Sequence, residues 1–132
     1  MGNGTPLGQV RGLGSTRSGT QHFTLSRITA IGNLVLLTWL IVSLVTGDVS
    51  SHDSLLRWIK SPLAAAPMVL LVICAITHLR LGLTTLIEDY VHGEAAKLAS
   101  LVLLTFFSWG SMIFALVSIA TIVFGAAPHV GQ

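Results

Sequence analysis

The stretch that decides the fold is Leu63-Ala64-Ala65-Ala66-Pro67-Met68-Val69-Leu70-Leu71-Val72-Ile73-Cys74-Ala75-Ile76-Thr77-His78-Leu79-Arg80-Leu81-Gly82-Leu83-Thr84-Thr85-Leu86-Ile87. At about 1.5 Å per residue it is long enough, as a helix, to cross a hydrocarbon core about 30 Å thick. Pro62 stands just before it, where a helix tolerates proline, and Pro67 lies near the same end, where a missing donor costs little. Glu88, Asp89 and Tyr90 close it. Within it, His78 and Arg80 are out of place by composition. A charged side chain at membrane depth costs about 2.5–3.5 kcal/mol on insertion scales, so an ionisable residue there is a functional candidate. Neutral imidazole is cheaper to bury, but both ring nitrogens still need partners.

Two further apolar runs flank this one, at about 28–45 and 98–124. The expected fold is therefore an all-α integral membrane protein with three transmembrane helices. Composition agrees. Of the 132 residues, 52% are hydrophobic and 9% charged, against roughly 25% charged in soluble domains. No separate soluble catalytic domain fits. A formal charge of +2 without a dense basic block argues against nucleic-acid binding. The single cysteine, Cys74, excludes an intrachain disulfide.

The domain organisation reads as a polar tail over 1–26, a three-helix membrane domain over 27–125 and a short tail over 126–132. The first tail lacks the apolar core of a secretory signal. It has no acids, as in a mitochondrial presequence, but its glycines make a poor amphipathic helix. Asp48, His52, Asp53, Arg57 and Lys60 mark an exposed loop, with a short interfacial helix expected around Leu55–Ile59 and Trp58 suited to the headgroup zone. The third span is longer than the bilayer needs, which predicts tilt or a protruding end. Gly110 and Ser111 at its middle are expected to permit close helix packing. Arg11, Arg17 and Arg27 precede the first span without an acidic residue before Asp48, so the positive-inside rule predicts an N-terminus inside, in cytoplasm or matrix. Three spans then put Glu88–Lys97 inside and the C-terminus outside.

His78 and Asp89 are about three turns apart, so they share a helix face, separated by about 16 Å along the axis. Gly82 and Cys74 lie on the same face as His78. Gly82 leaves room either for a flat, bulky group or for a neighbouring helix. The imidazole reads either as a structural residue bonded to a neighbouring helix or as an axial haem ligand. His22, His52, His92 and His129 all lie outside the spans, so a six-coordinate haem here needs a second ligand from another chain. Asp89 and Tyr90 are ordinary residues for a membrane boundary, and equally a proton-delivering pair suited to quinone reduction. Arg80 lies about 200° around from His78 and can either snorkel or pair with an anion such as a haem propionate. Arg27 is a boundary anchor with the same alternative role.

These residues carry a resemblance. The run His78 to Gly93, with Gly82 four on, Asp89-Tyr90 eleven and twelve on, and Val91-His92-Gly93 after them, resembles the small hydrophobic membrane anchor of succinate dehydrogenase, respiratory complex II, in its alphaproteobacterial and mitochondrial form. Ser18-Gly19-Thr20-Gln21-His22-Phe23 and Arg27-Ile28-Thr29-Ala30 extend the likeness to the first span. The chain differs from the family's usual pattern at Leu83 and Thr84, often Met and Gln, and at Thr24, often aromatic.

The resemblance implies that His78 supplies one axial ligand to haem b, iron included, with the other from the larger membrane-anchor subunit. It implies that Tyr90 hydrogen-bonds ubiquinone, that Asp89 lies close by as a proton relay, and that Arg27 approaches the haem propionates. Partners would be that larger anchor, an iron–sulfur protein and a flavoprotein, in a bacterial plasma membrane rather than a mitochondrial inner membrane. No catalytic residue is expected in this chain: it has no flavin or iron–sulfur motif, and one cysteine cannot hold a cluster. The rival functions are a haem-free structural anchor and a small channel or transporter component using Arg80, Glu88 and Asp89 as a charged path.

Overall fold

A computed structural model describes residues 17–47 and 49–125. The extreme N-terminal tail with Arg11, the loop residue Asp48 and the tail over 126–132 lie outside the described residues. Among the described residues four helices follow in order: α1 (Arg17–Thr46), α2 (His52–Lys60), α3 (Pro62–Tyr90) and α4 (Glu94–Phe124). Of these, α1, α3 and α4 are long and apolar enough to cross a membrane, as the hydropathy runs predict. No strand occurs among the described residues.

The helices extend past their apolar runs. α1 begins at Arg17, so part of the polar segment expected as a tail over 1–26 is helical. The expected link Glu88–Lys97 contracts to Val91-His92-Gly93, because α3 continues to Tyr90 and α4 starts at Glu94. Backbone groups at a membrane surface are best satisfied inside a helix, which favours continuing the turn until glycine or another breaker stops it. The hairpin is tied by Lys97, whose Nζ donates to the Glu88 carbonyl at 3.1 Å.

The expected interfacial helix is α2. Ser51 caps it: the Ser51 hydroxyl accepts from the Ser54 N–H, and the Ser54 side chain accepts from the Ser51 N–H. This reciprocal box satisfies two orphan donors. Trp58 of α2 stacks on Trp39 of α1, with centroids 6.1 Å apart and planes inclined by 19°. At its other end Lys60 donates to the Gly125 carbonyl at 3.0 Å, a cation on the C-terminal end of α4.

Helix α3 is the centre of the array. It packs against both α1 and α4, and among the described residues the backbones of α1 and α4 do not approach one another closely. Side-chain hydroxyls in the spans turn back on their own helix: Thr38 on Leu34, Thr105 on Leu101, Ser108 on Leu104, Ser118 on Phe114. Without water, this is the nearest acceptor.

Among the described residues few are buried: Thr29, Ser54, Ala64, Leu104 and Ser108. Large side chains such as Leu34, Phe106 and Phe114 are exposed, as expected of a single layer of helices facing lipid or another apolar chain. The close approach is not at Gly110, which faces open space. It is at Gly32 of α1, where an added Cβ would stand 3.2 Å from Cys74 Sγ of α3. Gly110 lies away from α3, and a missing side chain helps packing only on the face that meets a helix.

Gly32→Val should therefore push α1 off α3 and cost about 1–3 kcal/mol, the range for overpacking. Thermal unfolding of the detergent-solubilised protein measures it, and Cys74→Ala in the same chain should recover part of the loss.

Candidate functional site

Antiparallel pairing of α1 and α3 puts Gly32 opposite Cys74 and, one turn along, Thr29 opposite His78. Three residues back in α1 match four residues onward in α3, one helical turn in each. Thr29 is buried at 6% exposure, and its Oγ1 lies 3.2 Å from His78 Nδ1. The same oxygen is 2.9 Å from the Leu25 carbonyl and 3.1 Å from that of Ser26. This is the ring's only hydrogen bond among the described residues, and it leaves Nε2 without a protein partner.

One turn further along α3, Gly82 is exposed, and a Cβ built on it meets nothing within 4 Å. Of its two sequence readings, packing against another described helix of this chain is not what the fold shows, and the backbone at Gly82 stays open one turn from His78.

Arg80 points the other way. Its Nη2 reaches Thr105 Oγ1 of α4 at 3.5 Å, the long limit of a hydrogen bond. The side chain borders a small cavity of about 230 Å³ between α3 and α4, together with Thr77, Ser108 and Trp109. No carboxylate pairs with it among the described residues. Arg27 is exposed on α1 with its guanidinium 4.7 Å over the Phe23 ring, a cation–π contact one turn back in its own helix. Two positions from Thr29, it lies about 200° around the helix from the face that meets α3.

Asp89 and Tyr90 are the last two residues of α3 and both are exposed, Tyr90 at 75%. A groove of about 390 Å³ near that end is lined by Ile87, Ser100, Leu103, Leu104 and Phe107, without either residue. The larger cavity, about 610 Å³, is at the opposite end of the α3–α4 pair, between Lys60 and Phe124. Asp89 and Tyr90 thus stand exposed at the far end of the helix from that cavity.

The fold brings His78 together with Thr29, which in the sequence stands out only as part of a motif. It does not gather Arg27, Arg80 and His78 around one point through their own contacts. Sequence reasoning also missed Asn33, whose Oδ1 is buried without a partner, and it put His22 outside the spans, whereas His22 lies within α1 with its Nε2 buried and unpaired. Asn33 was visible as a polar residue in an apolar run, next to the Gly32 that sets the crossing.

Comparison with known proteins agrees with this architecture. Residues 1–124 match the family described as succinate dehydrogenase/fumarate reductase transmembrane subunit. The succinate dehydrogenase hydrophobic membrane anchor subunit of Paracoccus denitrificans is 29% identical over 92% of this chain and 94% of its own length. The proteins of the same description from Rickettsia bellii and Rickettsia conorii are 31% and 29% identical, each over 63% of this chain. The alignments span 66% and 67% of those two proteins. With three spanning helices and a family match that runs through all of them, the chain belongs to the succinate dehydrogenase/fumarate reductase transmembrane subunit family.

Proposed function

We propose that this chain anchors a succinate:ubiquinone oxidoreductase in a bacterial plasma membrane, supplies one axial ligand to a haem b and forms one wall of the quinone-reducing site. The observation that carries the reading is His78: a histidine deep in the central helix, held at Nδ1, with no partner for Nε2 among the described residues and with the backbone open one turn on at Gly82. An axial imidazole needs one free ring nitrogen and room for a flat macrocycle, so these residues fit the group. Bound there, haem b would supply a one-electron redox centre. The second ligand has to come from another chain, because no other described histidine lies deep within a span: His22 sits in the first turns of α1. That partner is proposed to be the larger membrane anchor of the complex, with an iron–sulfur protein and a flavoprotein on the Asp89 side.

The exposed end of α3 supports the quinone role. Tyr90 can donate its phenol proton to a quinone carbonyl, and Asp89 can exchange protons with the adjacent aqueous phase. Their exposure suits residues that close a pocket only against a partner. The arginine bias of the N-terminal segment supports placing this end inside. A charged conduction path has less support: Arg80 bonds Thr105 toward α4, whereas Glu88 and Asp89 are exposed at the helix end. Arg27 and Arg80 remain candidates for the propionates by charge alone.

In purified complex, His78→Ala should abolish the b-type reduced-minus-oxidised signal, and an unchanged spectrum would refute ligation. Tyr90→Phe and Asp89→Asn should slow succinate-driven quinone reduction while dye-linked succinate oxidation persists. A lost hydrogen bond of about 1–1.5 kcal/mol corresponds to roughly tenfold in rate. Equal loss of both activities would mean failed assembly. For orientation, a periplasmic reporter enzyme such as alkaline phosphatase fused after Gln132 should be active, and an inactive but expressed fusion would reverse the topology.

A further inference from the structure

The contact between Thr29 and His78 allows only one sensible placement of protons. The Thr29 hydroxyl has a single hydrogen and three polar neighbours: the Leu25 carbonyl at 2.9 Å, the Ser26 carbonyl at 3.1 Å and His78 Nδ1 at 3.2 Å. Carbonyl oxygens only accept. Were the hydroxyl to donate to Nδ1, its oxygen would face two carbonyl oxygens with no hydrogen between them, at a buried side chain where lone-pair repulsion is not screened by water. With the hydroxyl hydrogen directed back to its own helix, as Thr38, Thr105 and Thr121 also direct theirs, the oxygen's lone pair faces Nδ1. Nδ1 must then carry the proton. The neutral ring has one proton, so Nε2 is left as the bare Lewis base.

We infer that Thr29 is a positioning residue for His78: by accepting the Nδ1–H it fixes the tautomer that frees Nε2 for iron, and it holds the ring plane against α1. The inference rests on the reading of His78 as a haem ligand and goes beyond it, because it assigns a function to a neutral residue on a different helix. Such outer partners raise the basicity of the ligating nitrogen, and losing one typically costs about 10–100-fold in metal affinity. A more basic imidazole favours the more positively charged ferric iron. Removing the acceptor should therefore move the haem midpoint potential upward. Gly32 belongs to the same device, since its missing side chain brings α1 close enough for the hydroxyl to reach the ring.

The test uses the intact complex, purified from membranes, with two pairs of chains that differ at position 29 essentially by one hydroxyl: wild type against Thr29→Val, and Thr29→Ser against Thr29→Ala. The readouts are haem per chain by pyridine haemochrome, the midpoint potential by redox titration and the low-temperature electron paramagnetic resonance spectrum of the ferric haem. Expected are wild-type values in Thr29→Ser, and in Thr29→Val and Thr29→Ala a higher potential, a shifted low-spin signal and partial haem loss. If Val and Ala prevent accumulation of the complex while Ser restores it with a normal spectrum, the hydroxyl is again what matters. The inference is overturned if the hydroxyl-free chains keep wild-type potential and spectrum, or if Thr29→Ser shifts them as far as Thr29→Ala, which would make the γ-methyl the important group. Failure of the underlying reading looks different: the wild-type complex would show no b-type haem, or His78→Ala would retain it.

Discussion

The structure depends on how closely α1 can approach α3. Gly32 offers no side chain to Cys74, and the two backbones close to a distance at which even one added carbon would stand 3.2 Å from the sulfur. Between membrane helices there is little hydrophobic drive for association, so stability comes from contact surface and from satisfying polar groups across the gap. The crossing provides both. It brings the short Thr29 side chain to His78, and an imidazole at membrane depth that would otherwise leave Nδ1 unsatisfied acquires a partner from a neighbouring helix.

What the chain lacks is as informative as what it has. Helix α3 packs against both α1 and α4, and large apolar side chains along all three stay exposed. Only five described residues are buried, and three of them, Thr29, Ser54 and Ser108, carry hydroxyls. Such a layer has almost no core of its own. Its ordering comes from local devices: the Ser51–Ser54 box on α2, Trp39 on Trp58, Lys60 on the end of α4, and Lys97 across the α3–α4 hairpin. These leave the apolar faces free for lipid and for the other proteins of the complex.

Helix existence was legible because it is set by the length of apolar runs, which the bilayer dictates almost alone. The short amphipathic α2 was legible from its polar neighbours and Trp58. Helix ends were less so: α1 reaches back to Arg17 and α3 on to Tyr90, since hydropathy marks where the bilayer ends and not where the backbone stops coiling. The glycine at the crossing was misplaced for a related reason. Gly110 sits mid-span and Gly32 near the start of its run, but packing is decided by which face meets a neighbour, and a single sequence does not tell which helices pair. For the same reason His78 could be singled out while Thr29, an ordinary threonine by its own context, could not. Its importance lies in a register between helices whose paired residues are 49 positions apart.

Placing α3 at the centre also separates two jobs along and around one rod. His78 and Asp89 lie on one face about three turns apart, so a straight helix holds a mid-membrane imidazole at a fixed distance of about 16 Å from a carboxylate at the boundary. Arg80 leaves that face for Thr105 of α4, on the opposite side of the helix. A permanent cation so placed is kept off the imidazole by the width of the helix, yet its field still acts at membrane depth, where little water screens it. Were a redox group held at His78 as proposed, such a charge would favour its more negative, reduced form, whereas the inferred Nδ1–H hydrogen bond would favour the oxidised form. On that proposal the two residues that α3 aims at its two neighbours would oppose one another, with helix packing setting the balance.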